Sequence, residues 1–327
     1  MKALVIGYGS IGKRHIKNLS LFSNMEILVC TQKKPDSFLK KINCKVINSI
    51  DKCIELNPNF AIISNITSKH IAIAKKLANA GIHFLCEKPL SNNLEGVQDL
   101  LKIIERKKLI TLMGCNLRFH PCLIKLKKIL EKKQIGRIIS AQIENGSYLP
   151  EWHPNENYRD SYASKKDSGG VILTCIHELD YLRWFFGMPK EVYSVTGKFS
   201  NLAISTSDHS SIVLKFSNRM IAEIHLDFYQ KPPARSCKII GTEGQLFWNA
   251  KLNTVNLFKI KSKKWVTKLA LKNYDNNQMY LDELKYFLKC IRGIQKSMNN
   301  VNEGDKILKL GLSIIRSSKM NKPISLK

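Results

Sequence analysis

Three stretches of this 327-residue chain carry residue types that could do chemistry. MKALVIGYGSIGKRH places Gly7, Gly9 and Gly12 in the spacing G-x-G-x-x-G, after an apolar run and before a helical pattern. There Gly7 permits a tight turn, Gly9 lets the backbone approach a pyrophosphate, and Gly12 allows close helix–strand contact. Ser10 and Ile11 open the helix, whose unpaired N–H groups and positive dipole end would face the phosphates. CEKPLSNN ends an apolar stretch on Lys88, whose ammonium could stabilise developing negative charge. CIHELDYLRWFFG holds His177, and an imidazole that titrates near neutral pH can act as a general acid or base. Each has a plainer alternative: a glycine turn without ligand, a surface Glu–Lys pair before a turn, and a packing histidine.

The elements that must position these residues follow from periodicity. Residues 2–6 read as a buried strand and 11–22 as a helix. EILVCT (26–31), FAIISNI (60–66), HFLCEKP (83–89) and LITLMGCN (109–116) read as further strands. HIAIAKKLANAG is helical and ends on Gly81, a suitable C-cap, and Asn92 with Glu95 resembles a capping box for a helix running to about Lys108. Strands alternating with helices at this spacing predict a doubly wound parallel sheet in a domain covering 1–120.

Past residue 121 the pattern changes. A helix (122–133), Gly136 and a strand (137–147) lead into the loop YLPEWHPNENYRDSY. Gly169 and Gly170 then precede an apolar helix ending at Gly187. From 191 to about 260 the chain alternates with period two, which predicts successive antiparallel strands. Two helices (276–298 and 303–318) and a short strand close it. The expected fold class is α/β: the parallel sheet, then an α+β domain over 121–327 with an open, mainly antiparallel sheet.

Cofactor selectivity should be written after the second strand, where an NAD site places an acidic residue for the ribose hydroxyls. The chain has Cys30-Thr31-Gln32-Lys33-Lys34 and no carboxylate. The Thr31 hydroxyl and the Lys33 ammonium suit a 2′-phosphate, so NADP is favoured over NAD; solvated lysines are the alternative.

Net charge is +27, but the lysines are spread along the chain without a basic tail or an aromatic-basic motif. Nucleic acid is therefore not the expected partner. No run approaches the ~18 apolar residues of a membrane span, and the short apolar start is no signal peptide, so a cytoplasmic location is expected. The nine cysteines are odd in number and lack C-x-x-C, which argues for reduced thiols and against a disulfide framework or metal site.

Taken in order, GYGSIG, SNITSKH (64–70), CEKPLSNN, GCNLRFHP (114–121) and CIHELDYLRWFFG resemble the glucose–fructose oxidoreductase / inositol dehydrogenase / MocA family. The likeness runs to IIGTEGQLFW (239–248) and so covers essentially the whole chain. It implies a Rossmann domain and an α/β domain whose open sheet often mediates oligomerisation, hence a homodimer or homotetramer. It also implies NAD(P)-dependent oxidation or reduction of a hydroxyl or carbonyl carbon on a sugar or polyol. By position, Lys88 would lie near nicotinamide and substrate, Pro89 would carry a turn that is often cis, and Glu87, Ser64, Asn65, His70 and Asn116 would line the cofactor. Arg118 would sit in the neighbouring N-x-R-F motif on the substrate side, and His177 would be the acid/base.

One departure stands out. Many relatives carry an aspartate four residues before this histidine, where this chain has Leu173. Thr174 and Asp180 lie on roughly the same helical face and could orient the imidazole, although a threonine cannot stabilise an imidazolium. The loop's Trp152, His153, Tyr158, Arg159 and Tyr162 could stack on a sugar ring and bind a carboxylate or phosphate, or could staple the loop. This loop resembles that of relatives associated with bacterial surface-sugar biosynthesis, which suggests a nucleotide sugar or acidic sugar. Redox-neutral glycoside cleavage through transient oxidation, and a non-catalytic cofactor-binding sensor, stay open beside the dehydrogenase reading.

Overall fold

The structure, a computed structural model, describes residues 1–153, 156–165 and 170–326. Gly169, expected to precede the His177 helix, lies outside the described residues.

The first part of the chain runs β1 (Lys2–Ile6), α1 (Ser10–Leu19), β2 (Glu26–Cys30), α2 (Ser37–Lys41), β3 (Lys45–Ile47), α3 (Ile50–Glu55), β4 (Phe60–Ile63), α4 (His70–Asn79), β5 (His83–Glu87), α5 (Val97–Arg106) and β6 (Thr111–Gly114). Its six strands pair in parallel in the order β3-β2-β1-β4-β5-β6, reversing direction of growth at β1. This is the doubly wound sheet expected from the alternation. Strands β1, β4, β5 and β6 are buried on both faces, so they read as continuous apolar runs rather than alternating ones.

The remainder runs α6 (Pro121–Glu131), β7 (Ile138–Gly146), α7 (Gly170–Thr174), α8 (His177–Phe186), β8 (Glu191–Gly197), β9 (His209–Lys215), β10 (Ile221–Asp227), β11 (Ala234–Gly241), β12 (Gly244–Asn249), β13 (Thr254–Lys259), β14 (Lys264–Ala270), α9 (Asn277–Ile291), α10 (Val301–Met320) and β15 (Ile324–Ser325). Here the strands form a nine-stranded sheet ordered β14-β13-β12-β11-β7-β10-β9-β8-β15. Every pairing in it is antiparallel except β7 with β10. The period-two pattern has its cause here: on β9, Ser210, Ile212 and Leu214 are buried while Ser211, Val213 and Lys215 are exposed. Helices α6 and α7 pack on the covered side, and Tyr193, Val195, Val213 and Ile221 stand exposed on strands β8 to β10.

Two compact units emerge, Met1–Asn116 with Asn277–Leu308, and Leu117–Asn276 with Lys309–Lys327. The contiguous division at residue 120 therefore misses a return of the chain. Helix α9 belongs with the parallel sheet because Leu284, Phe287 and Leu288 complete its core, with Phe287 edge-on to Phe60 at 5.8 Å. The capping box is also corrected: α5 starts only at Val97, after Gly96 at φ 69°, and Asn93 Oδ1 instead accepts the Glu95 N–H at 2.9 Å. The short elements α2, β3 and α3 are too brief to carry a period.

Candidate cofactor site and catalytic residues

In the first unit the candidate residues gather at the C-terminal ends of β1, β2, β4, β5 and β6, where doubly wound sheets bind ligands. Gly7 takes φ +102°, and a Cβ there would lie 2.7 Å from the Asn65 backbone nitrogen. A Cβ on Gly12 would lie 2.2 Å from the Gly7 carbonyl oxygen. Gly9 differs, since among the described residues no atom beyond its own chain neighbours lies within 4 Å of the Cβ position. It is the N-cap of α1 and supplies no side-chain cap, so the first turn, with exposed Ser10 and half-buried Ile11, keeps its N–H groups for another partner.

Ser64 ties the neighbouring strand end to this turn, its hydroxyl donating to the Ile6 carbonyl at 3.0 Å. The two ring nitrogens of buried His70 face the carbonyls of Pro89 (2.9 Å) and Asn65 (3.0 Å), and burial pushes its pKa below the usual histidine value. The Asn65 Oδ1 is buried and has no hydrogen-bond partner among the described residues. An orphaned amide oxygen beside an uncapped helix start and an open glycine cradle fits a dinucleotide. The site would be held by Gly7, Gly9, Gly12, Asn65 and the α1 N-terminus. Asn116 is buried just beyond β6. The Lys88–Pro89 bond is cis, and Lys88 is half-buried directly after buried Glu87.

After β2, the Thr31 N–H donates to the Ile47 carbonyl at 3.0 Å, and its hydroxyl accepts the Lys33 N–H at 3.1 Å. The Lys33 and Lys34 side chains are exposed. The carboxylate absent from the end of β2 has a counterpart six residues on. Asp36 caps α2, accepts the Tyr8 hydroxyl at 2.7 and 2.8 Å, and lies 3.5 Å from the Lys13 ammonium. The Tyr8 hydroxyl bond, with the Leu39 N–H, lowers the Asp36 pKa. Sequence spacing could not show this, because it depends on how the loop folds back over the glycine turn.

In the second unit, Cys175 and Ile176 form a turn that separates α7 from α8, so Leu173 and His177 do not share one continuous helix. Leu173 is fully buried, and a Cβ on Gly311 of α10 would lie 3.0 Å from its Cδ2. The position at which relatives often carry an acid is here part of the core. Thr174 is buried and His177 half-buried at the α8 N-terminus.

Asp180 is not placed as the histidine's orienting acid. Both of its oxygens take Arg118, Nε at 2.9 Å and Nη2 at 2.8 Å, in a pair only 1% and 3% exposed. The Arg118 guanidinium, expected on the substrate side, is held in this pair and also lies 5.7 Å from the Trp184 ring. A buried bidentate pair joins the segment after β6 to α8. Glu178, unremarked in the sequence, is fully buried and accepts Arg235 Nε at 2.8 Å and Asn145 Nδ2 at 3.3 Å. Two ion pairs thus fix the helix that presents His177.

The aromatic loop is largely self-stapled. Trp152 donates to the Ser147 hydroxyl at 2.9 Å and meets Phe228 edge-on at 5.3 Å. The Tyr158 hydroxyl accepts the Ala203 N–H at 3.2 Å, and exposed Arg159 lies 5.9 Å from the Tyr158 ring. Leu149, Trp152, His153, Glu156, Tyr158 and Ser161 line a small cleft there. Tyr162 is exposed.

Residues 1–115 match the family described as "Oxidoreductase family, NAD-binding Rossmann fold", and residues 123–247 match the "GFO/IDH/MocA C-terminal domain". The chain is 28% identical over 230 residues to the uncharacterized oxidoreductase YrbE of Bacillus subtilis, covering 67% of this chain and 65% of YrbE. It is 25% identical over 342 residues to the myo-inositol 2-dehydrogenase of Thermotoga maritima, covering 100% and 99%. Among solved structures, a levoglucosan dehydrogenase in complex with NADH superposes with a TM-score of 0.90 at 17% identity, covering 100% and 99%, a likeness of fold. The two matches span both units in the order that the motifs predict, and the chain belongs to the GFO/IDH/MocA family of oxidoreductases.

Proposed function

We propose that this protein is an NAD(P)-dependent dehydrogenase or reductase that acts on a CH–OH carbon of a sugar or sugar derivative. The observation that carries this is the convergence at the strand ends of the first unit: an open glycine cradle, an orphaned Asn65 oxygen and Lys88 after a buried carboxylate. The bound nicotinamide would supply or accept the hydride. Lys88 holds an ammonium where the substrate oxygen becomes alkoxide-like, and His177 takes or returns the hydroxyl proton. Arg118 and Asp180 act by fixing α8 rather than by touching substrate.

The relatives named for inositol and levoglucosan support a polyhydroxylated substrate. The chain's net charge of +27 and exposed Arg159 favour an anionic one, such as a nucleotide sugar of surface-polysaccharide biosynthesis. NADP is the favoured cofactor: Thr31 and the exposed Lys33 and Lys34 suit a 2′-phosphate, while Asp36 is committed to Tyr8 and the α2 cap. A homodimer or homotetramer formed through the open sheet face, in the cytoplasm, completes the reading.

The test is a panel of nucleotide sugars, free sugars and polyols, followed at the reduced-nicotinamide absorbance band. Turnover of at least one is expected, with Lys88→Ala and His177→Ala each lowering kcat by about 10²–10⁴-fold. Undiminished turnover in the double variant would sink the assignment. Tight cofactor binding with no turnover of any sugar would point instead to a sensor, consistent with Leu173 filling the core.

A further inference from the structure

In the second unit, one corner gathers cations that the proposed chemistry does not use. Three backbone bonds bring its segments together. The Thr242 N–H donates to the Arg137 carbonyl at 2.9 Å, the Glu243 N–H to that of Ile135 at 3.0 Å, and the Ile260 N–H to that of Glu243 at 3.1 Å. Lys132, Lys133 and Arg137, between α6 and β7, therefore stand beside the turn from β13 to β14. That turn is closed by the Lys263 N–H on the Lys259 carbonyl at 2.9 Å, and Lys259, Lys261, Lys263 and Lys264 flank or form it. All of these cations are exposed. Of the neighbouring carboxylates, Glu131 lies 3.7 Å from Lys127, and Glu243 lies against Gly136, where a Cβ would come within 3.0 Å of its Cγ. From Lys251 to Lys272 the chain has no Asp or Glu at all.

Two features set this hairpin apart from an ordinary solvated edge. Lys259 and Lys264 are direct cross-strand partners, and like charges opposite one another destabilise a ladder. Ile260, Trp265 and Val266, next to these lysines in the chain, are 53%, 51% and 47% exposed. Strand β14 is exposed at every residue but Leu269, so it buries neither of its faces. Lysines alone would guard an edge strand against pairing with another chain; apolar side chains beside them serve no such end. The sheet order sets β14 at the edge opposite β8 and β15, away from the apolar row on β8 to β10.

We propose that this corner docks the protein on an anionic phospholipid bilayer, with the lysines on the headgroups and Ile260 and Trp265 at the headgroup–acyl boundary. Each lysine near such a surface contributes about fivefold in affinity, and the attraction falls off within a Debye length. Tryptophan sits well at headgroup level, and an aliphatic side chain between cations enters the boundary beneath it. A single-stranded nucleic acid asks instead for a groove with successive aromatic platforms. Here Trp265 and Phe258 form one cross-strand pair, 5.5 Å between ring centres, on a strand open on both faces. The inference is independent of the hydride chemistry, since it uses none of the residues assigned to it.

Co-sedimentation of the full chain with vesicles tests this, using phosphatidylcholine alone and phosphatidylcholine mixed equally with phosphatidylglycerol. Wild type is expected to bind the mixed vesicles at least about tenfold more tightly at physiological ionic strength, and to leave them in about 1 M salt. Lys259→Ser, Lys261→Ser, Lys263→Ser and Lys264→Ser together are expected to bring binding down to the neutral-vesicle level. Removing as many charges from exposed positions of the first unit, by Lys40→Ser, Lys102→Ser, Lys285→Ser and Lys289→Ser, is expected to change it by less than about threefold. Ile260→Ser with Trp265→Ser is expected to weaken it about tenfold. Equal binding to the two vesicles, no binding to either, or equal losses in the two four-lysine variants overturns the proposal. So does an unchanged affinity in Ile260→Ser with Trp265→Ser, which would leave only diffuse charge. A single-stranded RNA oligonucleotide that displaces the mixed vesicles, and is released by the hairpin substitutions, would reassign the corner to nucleic acid. The wild-type comparison requires no variant to fold, so it decides whatever the substitutions do to stability.

Discussion

At the scale of single residues, the proposed preference for NADP rests on exposed Lys33 and Lys34. Their double replacement by alanine is expected to weaken NADPH binding by about tenfold or more, the loss of about 1.4 kcal/mol of charge-assisted contact, and to leave NADH within about twofold. Fluorescence titration of both cofactors measures this, and equal losses for the two would refute a 2′-phosphate site. Asp36 belongs to the same comparison: Asp36→Ala frees the Tyr8 hydroxyl and the Lys13 ammonium and should not weaken NADPH. The glycines, Lys88 and His177 were legible in the sequence because each stands in a local motif. The partners of Glu87, Asp180 and Tyr8 were not, since His15, Arg118 and Asp36 reach them from 72, 62 and 28 residues away. Leu173 was legible as a departure, but only its packing against Gly311 shows that the position is core.

At the scale of elements, the glycine turn and α8 are each held by contacts that single substitutions can break. Gly12→Ala would force a methyl to within 2.2 Å of the Gly7 carbonyl. It is expected to cost about 1–3 kcal/mol and to abolish cofactor binding, read as a lower thermal midpoint that NADPH no longer raises. Arg118→Ala leaves the Asp180 carboxylate buried without its partner, a loss of about 3–5 kcal/mol of stability. Chemical denaturation checks this, and a small effect would mean the pair is not the anchor of α8.

Helix α6 adds a pH dependence. His120 caps it by accepting the Cys122 N–H on Nδ1 at 3.1 Å while Nε2 faces Asn253 Oδ1, and burial lowers its pKa to about 4. Its folded pKa lies below the unfolded value of about 6.5, so the unfolded chain binds more protons. Stability is therefore expected to fall as pH drops from about 6.5 toward 4, and His120→Asn should flatten that slope in thermal melts. Strand and helix order was readable from periodicity. The break between α7 and α8 was not, because Cys175 and Ile176 are apolar and continue the helical pattern while the backbone turns.

At the scale of the whole molecule, the sequence conveyed the two-part architecture but not the return of α9 to the parallel sheet. Nothing in its amphipathic pattern says which apolar surface it will cover. Exposed Tyr193, Val195, Val213 and Ile221 form an apolar row on the open sheet, the face of the proposed oligomer, and on that proposal Val213→Glu with Ile221→Glu is expected to reduce the particle mass seen by light scattering to that of one chain. A mass of one chain in wild type, or a mass that the substitutions leave unchanged, would contradict that proposed contact. Above these stands the claim that Lys88 and His177 serve hydride transfer to or from a sugar carbon. The most direct test is single-turnover mixing of the NADPH-loaded protein, and separately the NADP⁺-loaded protein, with each sugar of the panel, for wild type and for the Lys88→Ala, His177→Ala double variant. The account predicts that the reduced-nicotinamide absorbance changes stoichiometrically in wild type with at least one sugar and stays flat in the double variant. A stoichiometric change that survives in the double variant would contradict it.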